Sequence, residues 1–137
     1  MKSVFVDNSA LIALGNKQDT FYRQAQKIRR ELIKTQRKFV TTSFVIVELC
    51  SAFSGVKLRS TAIDTVESIY KSDKWMYLDV DRKLMTKGFE HFKQMADKEW
   101  TLVDCVSMIV AKEFGIIEIF TNDHHFEQAG FQILLKD

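Results

Sequence analysis

The chain has 137 residues, 46% of them apolar and 28% charged, with a formal net charge of +2. That balance excludes an intrinsically disordered chain, and the length suits one domain with a core of sheet and helix. No apolar run approaches the roughly 20 residues of a membrane span, and the N-terminus lacks the basic-then-apolar layout of a secretory leader, so a cytoplasmic location is expected.

Taken in chain order, the first strand is expected at SVFV, and it runs directly into Asp7 before a second apolar stretch begins. An ionised carboxylate in such a setting loses hydration and needs a cation or hydrogen-bond donors to offset the loss. Next comes an amphipathic helix, with Phe21, Ala25, Ile28 and Leu32 on one face and Arg23, Lys27, Arg30 and Lys34 on another. From Thr20 to Val47 only Glu31 is acidic, against seven of the chain's 20 Lys and Arg residues. Such a patch is either a solvated helix face or a surface for phosphates.

A second strand is expected at KFVTT, followed over Ser43–Phe53 by a helix that is apolar almost all round and therefore reads as buried, with Thr41 and Thr42 as caps. Further helices are expected over Arg59–Lys71, Arg82–Met95 and Leu102–Phe114, the last opened by Thr101 and closed by Gly115. Strands are expected at WMYLDV, EIFT and QILL, with a short turn or helix over His125–Ala129 between the last two. Strands alternating with helices predict an α/β fold with a mostly parallel sheet. Cys50 and Cys105 lie within apolar stretches and read as free thiols rather than a disulfide.

Four acids stand out against this frame. Asp7 and Asp123 each end a strand, and in open parallel sheets ligands bind beyond the carboxyl ends of the strands. Glu48 and Asp104 each interrupt an otherwise apolar helix, which turns them inward. Carboxylates gathered in one crevice raise one another's pKa unless a cation offsets them, and an all-oxygen set suits Mg²⁺ or Mn²⁺. A metal between an acidic pocket and a basic helix points to phosphodiester cleavage.

These segments resemble the PIN domain nucleases over nearly the whole chain. VFVDNSALIAL is similar to the family's opening strand and acid, TTSFVIVEL to its second acidic segment, WTLVDCVSMIVAKEFGI to its third, and IFTNDHHFEQAGF to its closing T-x-D-x-x-F pattern. The resemblance implies a three-layer α/β/α fold and a ribonuclease in which Asp7, Glu48, Asp104 and Asp123 form the acidic quartet. Asp7, Asp104 and Asp123 are then the expected ligands of Mg²⁺ or Mn²⁺, with Glu48 either a further ligand or the base acting on water. The subgroup it is most similar to is the VapC-type toxins of bacterial toxin–antitoxin pairs, which implies a small antitoxin partner and a homodimer, with Ile33 and Phe53 as exposed apolar residues for such interfaces. Asn8 departs from the family pattern, where many relatives carry Thr, so that hydroxyl's role is expected to pass to Ser9.

Ser43 and Thr121 each neighbour an acidic segment and are either cap and packing residues or hydrogen-bonding partners that orient a carboxylate. Trp100 is expected to fill the core beside its helix, the alternative being a wall of the acidic pocket. His124 and His125 read as loop residues, available for contact with RNA. Other chemistries fit poorly: a dehalogenase-type phosphotransferase needs a second Asp where Ser9 stands, a receiver domain lacks its acids and lysine, and no Cys or His spacing marks a zinc site. A different class of function, a catalytically silent PIN module that binds nucleic acid or a protein, would keep the fold and lose acids.

Overall fold

The computed structural model describes residues 2–137. Its centre is a five-stranded sheet in which every pairing is parallel, in the order β3-β2-β1-β4-β5. The strands are β1 (Ser3–Val6), β2 (Lys38–Thr42), β3 (Trp75–Leu78), β4 (Glu118–Phe120) and β5 (Gln132–Ile133). Each falls within a segment expected from apolar and β-branched runs. Val4, Phe5 and Val6 are all buried, as parallel strands covered on both faces should be.

The helices form two groups with the sheet between them. Helices α1 (Asn8–Gly15), α2 (Tyr22–Lys34), α3 (Ser43–Ala52) and α4 (Val56–Lys71) pack among themselves, while α6 (Leu102–Glu113) packs against α5 (Arg82–Gln94) and α7 (His124–Gln128). Gly88 lets α5 approach α6 closely, since a Cβ there would stand 2.4 Å from Val106 Cγ2. Among the described residues, no helix is long and apolar enough to cross a membrane.

One helix is added and two expectations about the helices change. The apolar stretch after Asp7 is a helix of its own, α1, whose Ala10, Leu11 and Ala13 are buried. Helix α3 is not buried all round, because Val47 is 62% exposed and Cys50 also faces out. Its periodicity was masked by apolar residues on the open side, and burial was decided by which side met α1 and α4. Phe53, expected at the surface, is buried against Gly15, where a Cβ would come within 2.8 Å of its ring; Ile33 remains half exposed.

The order of the strands creates the site. β1 pairs with β2 on one side and with β4 on the other, so successive connections leave it in opposite directions. A crevice opens beyond the carboxyl ends of β1 and β4, at the point where the strand order reverses.

Candidate active site

Asp7 follows β1 at the head of that crevice. Its backbone N–H donates to the Phe120 carbonyl at 3.1 Å, continuing the β1–β4 pairing by one residue, and the residue is buried. Two hydroxyls hold the same carboxylate oxygen: Thr121 Oγ1 donates to Asp7 Oδ2 at 2.7 Å and Ser9 Oγ at 3.3 Å. These hydroxyls also meet each other at 2.9 Å, while the backbone N–H groups of Asn122 and Asp123 donate to Ser9 Oγ and Thr121 Oγ1. The loop after β4 is thereby fastened to the start of α1. Burial pushes the Asp7 carboxyl up to about 6; the Thr121 bond opposes that rise and the charges of Asp104 and Asp123 add to it.

Asp104 enters from α6. It is buried and serves as half of a capping box, accepting from the Thr101 N–H at 3.0 Å while its own N–H donates to Thr101 Oγ1 at 3.0 Å. Asp123 caps the next helix, its Oδ1 accepting from the His125 N–H at 2.9 Å. Both acids therefore have a local structural task as helix caps, which does not by itself account for their convergence. Glu48 reaches the crevice from α3. Burial, followed by the negative charges of Asp7, Asp104 and Asp123, pushes its carboxyl up to about 7.

The four acids thus share one crevice of about 460 Å³, whose lining also includes Asn8, Asn122 and His125. A more enclosed cavity of about 250 Å³ lies between α2, β2 and α4, but Leu14, Ile33, Phe39 and Trp75 line it and no carboxylate does.

His125, read from the sequence as a loop residue available to RNA, instead lies in α7 beside two of the acids. His125 Nδ1 lies 3.0 Å from Asp104 Oδ2 and 3.3 Å from Asp123 Oδ1, whereas the adjacent His124 turns outward to Glu127 at 3.1 Å. The available signal was its position two residues after Asp123, where the first turn of a helix returns a side chain to its cap. Among the described residues, Asp104, Asp123 and His125 form a group whose donor atoms all lie within 4.8 Å of one another.

Other candidates fall elsewhere. Ser43 Oγ accepts from the Val80 N–H at 2.8 Å and so anchors the segment after β3 rather than a carboxylate. Buried Trp100 donates from Nε1 to Gln128 Oε1 at 2.8 Å, filling the core between α6 and α7. Arg23, Lys27, Arg30 and Lys34 all lie exposed on α2, outside the lining of the crevice. Of the other basic residues in that stretch, Arg37 pairs with Glu118 and Lys38 donates to the Asp73 carbonyl, both at the amino ends of the strands.

The model of the PIN domain family matches residues 4–132. The chain belongs to the PIN domain family. Among solved structures it is similar to Mycobacterium tuberculosis VapC20, a sarcin-ricin loop cleaving toxin, with 25% identity and a TM-score of 0.81, over 94% of this chain and 96% of that one. It shares the fold of the DNA-bound VapBC of Salmonella typhimurium, at 18% identity and a TM-score of 0.66 over 97% of each chain. The same holds for Rickettsia felis VapBC2 bound to a promoter DNA fragment, at 14% identity and a TM-score of 0.68 over 95% of this chain and 96% of that one. No curated protein matches the chain.

The crevice of this PIN domain fits a divalent metal ion. Four carboxylates line it with no Lys or Arg among them, and burial, followed by the charges of the neighbouring acids, raises Asp7 and Glu48. Oxygen-rich donor sets of this kind are those that hard cations neutralise.

Proposed function

We propose that this chain is a metal-dependent endoribonuclease and the toxin of a toxin–antitoxin pair. The observation that carries the proposal is the convergence of Asp7, Glu48, Asp104 and Asp123 on one crevice beyond the carboxyl ends of β1 and β4. Asp7, Asp104 and Asp123 would hold Mg²⁺ or Mn²⁺. Such an ion, when bound, acidifies a coordinated water and neutralises charge on a phosphoryl group.

The rest follows from the chain's own groups. Glu48 lines the same crevice from α3 and is the carboxylate available to accept a proton from an attacking water. Thr121 and Ser9 orient Asp7, and the Thr101 N–H orients Asp104, so the acids need little rearrangement to act together. The water oxygen attacks phosphorus and the bond to the leaving ribose oxygen breaks. Arg23, Lys27, Arg30 and Lys34 on α2 supply a positive face that draws the RNA backbone towards the protein.

VapC20's action on RNA and the VapBC assemblies among the similar structures support the toxin reading. A small antitoxin whose Arg side chain enters the carboxylate crevice would occupy the cation's place, and the toxin itself is expected to be a homodimer. Metal-dependent cleavage of a panel of RNAs by the purified chain tests the nuclease. Co-expression with the product of the adjacent gene, followed by size-exclusion chromatography and the same assay, tests the pairing. An active monomer that ignores its neighbour would refute the toxin assignment, and an inactive chain in Mg²⁺ and Mn²⁺ would refute the nuclease.

A further inference from the structure

We infer that His125 supplies a nitrogen ligand to the divalent ion of this crevice and biases the site towards Mn²⁺ over Mg²⁺. The inference rests on the reading of the crevice as a divalent-metal nuclease site and adds to it a donor of a different chemical kind.

Three observations carry it. First, Nδ1 stands 3.0 Å from Asp104 Oδ2 and 3.3 Å from Asp123 Oδ1. Neighbouring ligands of a six-coordinate ion with bonds of about 2.1 Å are separated by about 3 Å, so the imidazole occupies a position that an adjacent ligand would take. Second, the ring is held there by its own backbone. The His125 N–H donates to Asp123 Oδ1 at 2.9 Å, which places the imidazole and its neighbouring carboxylate on one helix cap. Third, the adjacent histidine separates position from composition. His124 has a side chain 78% exposed and pairs with Glu127, whereas the His125 side chain is 28% exposed and turns into the acids.

The chemistry then favours one metal. Mg²⁺ is a hard ion that prefers carboxylate and water oxygens, while imidazole nitrogen is a better partner for transition metals. Replacing one oxygen position by nitrogen therefore raises affinity for Mn²⁺ more than for Mg²⁺.

The test uses the full, tag-free chain loaded with Mn²⁺. Pulsed electron paramagnetic resonance should show nitrogen modulation from a directly coordinated imidazole. The signal should survive His124→Ala and disappear in His125→Gln, which can still donate a hydrogen bond to Asp104. By calorimetry, the preference for Mn²⁺ over Mg²⁺ should fall about tenfold in His125→Gln. If His125 merely orients Asp104, the Gln variant would retain the wild-type metal preference. Mn²⁺ bound by the wild type without nitrogen modulation would overturn the inference and leave the proposed nuclease standing. Absence of Mn²⁺ and Mg²⁺ binding would overturn both.

Discussion

Thr121 Oγ1 donates to Asp7 Oδ2 at 2.7 Å, across the seam between β1 and β4, so a buried acid of the crevice is oriented by the residue that follows the neighbouring strand. Thr121 is itself fully buried and also receives the Asp123 N–H, which links two of the acids through one hydroxyl. Replacing Thr121 by Val keeps the shape and removes these bonds together with the contact to Ser9 Oγ. Metal affinity measured by calorimetry should fall about tenfold or more, with a stability loss of about 1–3 kcal/mol from the unpaired groups. Unchanged affinity in a folded variant would show that Asp7 does not depend on this bond.

Removing single charges should separate catalytic from structural roles. Asp7→Asn and Asp104→Asn should each lower RNA cleavage by about 100-fold or more, because each withdraws an anionic metal ligand. Their metal-free stabilities should differ in sign. Asp7→Asn relieves a buried charge and should raise Tm at neutral pH, whereas Asp104→Asn weakens the capping box with Thr101 and the contact with His125 and should lower it. Thermal melts beside cleavage assays decide both points, and full activity in either variant would sink the metal mechanism.

Stability of the metal-free protein should fall as pH rises. The Asp7 carboxyl moves from 3.8 in the unfolded chain to about 6 in the native one, and Glu48 from 4.5 to about 7. A raised native value means that the folded protein binds the proton more tightly, so stability is retained below the unfolded values and lost as pH climbs through the folded ones. For buried Asp7 the loss amounts to about 3 kcal/mol, at roughly 1.4 kcal/mol per pH unit. Denaturant titrations between about pH 4 and pH 8 should show the fall, and Asp7→Asn should flatten it. Added Mg²⁺ or Mn²⁺ should stabilise the protein more at the alkaline end, where the ion no longer competes with protons. Equal stabilisation by metal at both ends would contradict this account.

The basic face of α2 makes a separate prediction. Changing Arg23, Lys27, Arg30 and Lys34 together to Gln should weaken RNA binding and reduce the slope of log affinity against log salt concentration, because fewer counterions are released. Metal affinity should be unchanged, since none of the four lines the crevice. An unaltered slope would return α2 to the role of a solvated face.

The sequence by itself determined the alternation of strand and helix, the capping of α6 by Thr101, and the four acids at strand ends or in apolar helices. All of these depend on local periodicity and side-chain chemistry, which neighbouring residues already display. The partners of those acids were decided only by tertiary structure. Thr121 and Ser9 lie far from each other in sequence but meet because β4 pairs with β1; Ser43, which stands beside an acidic segment in sequence, serves the Val80 N–H instead. Likewise Phe53 turns inward because Gly15 of α1 leaves room for its ring, and His125 enters the crevice because the cap at Asp123 returns the first turn of α7 towards Asp104. A residue's pattern specifies which face it occupies within its own element, but only strand order and helix packing decide which other element that face meets.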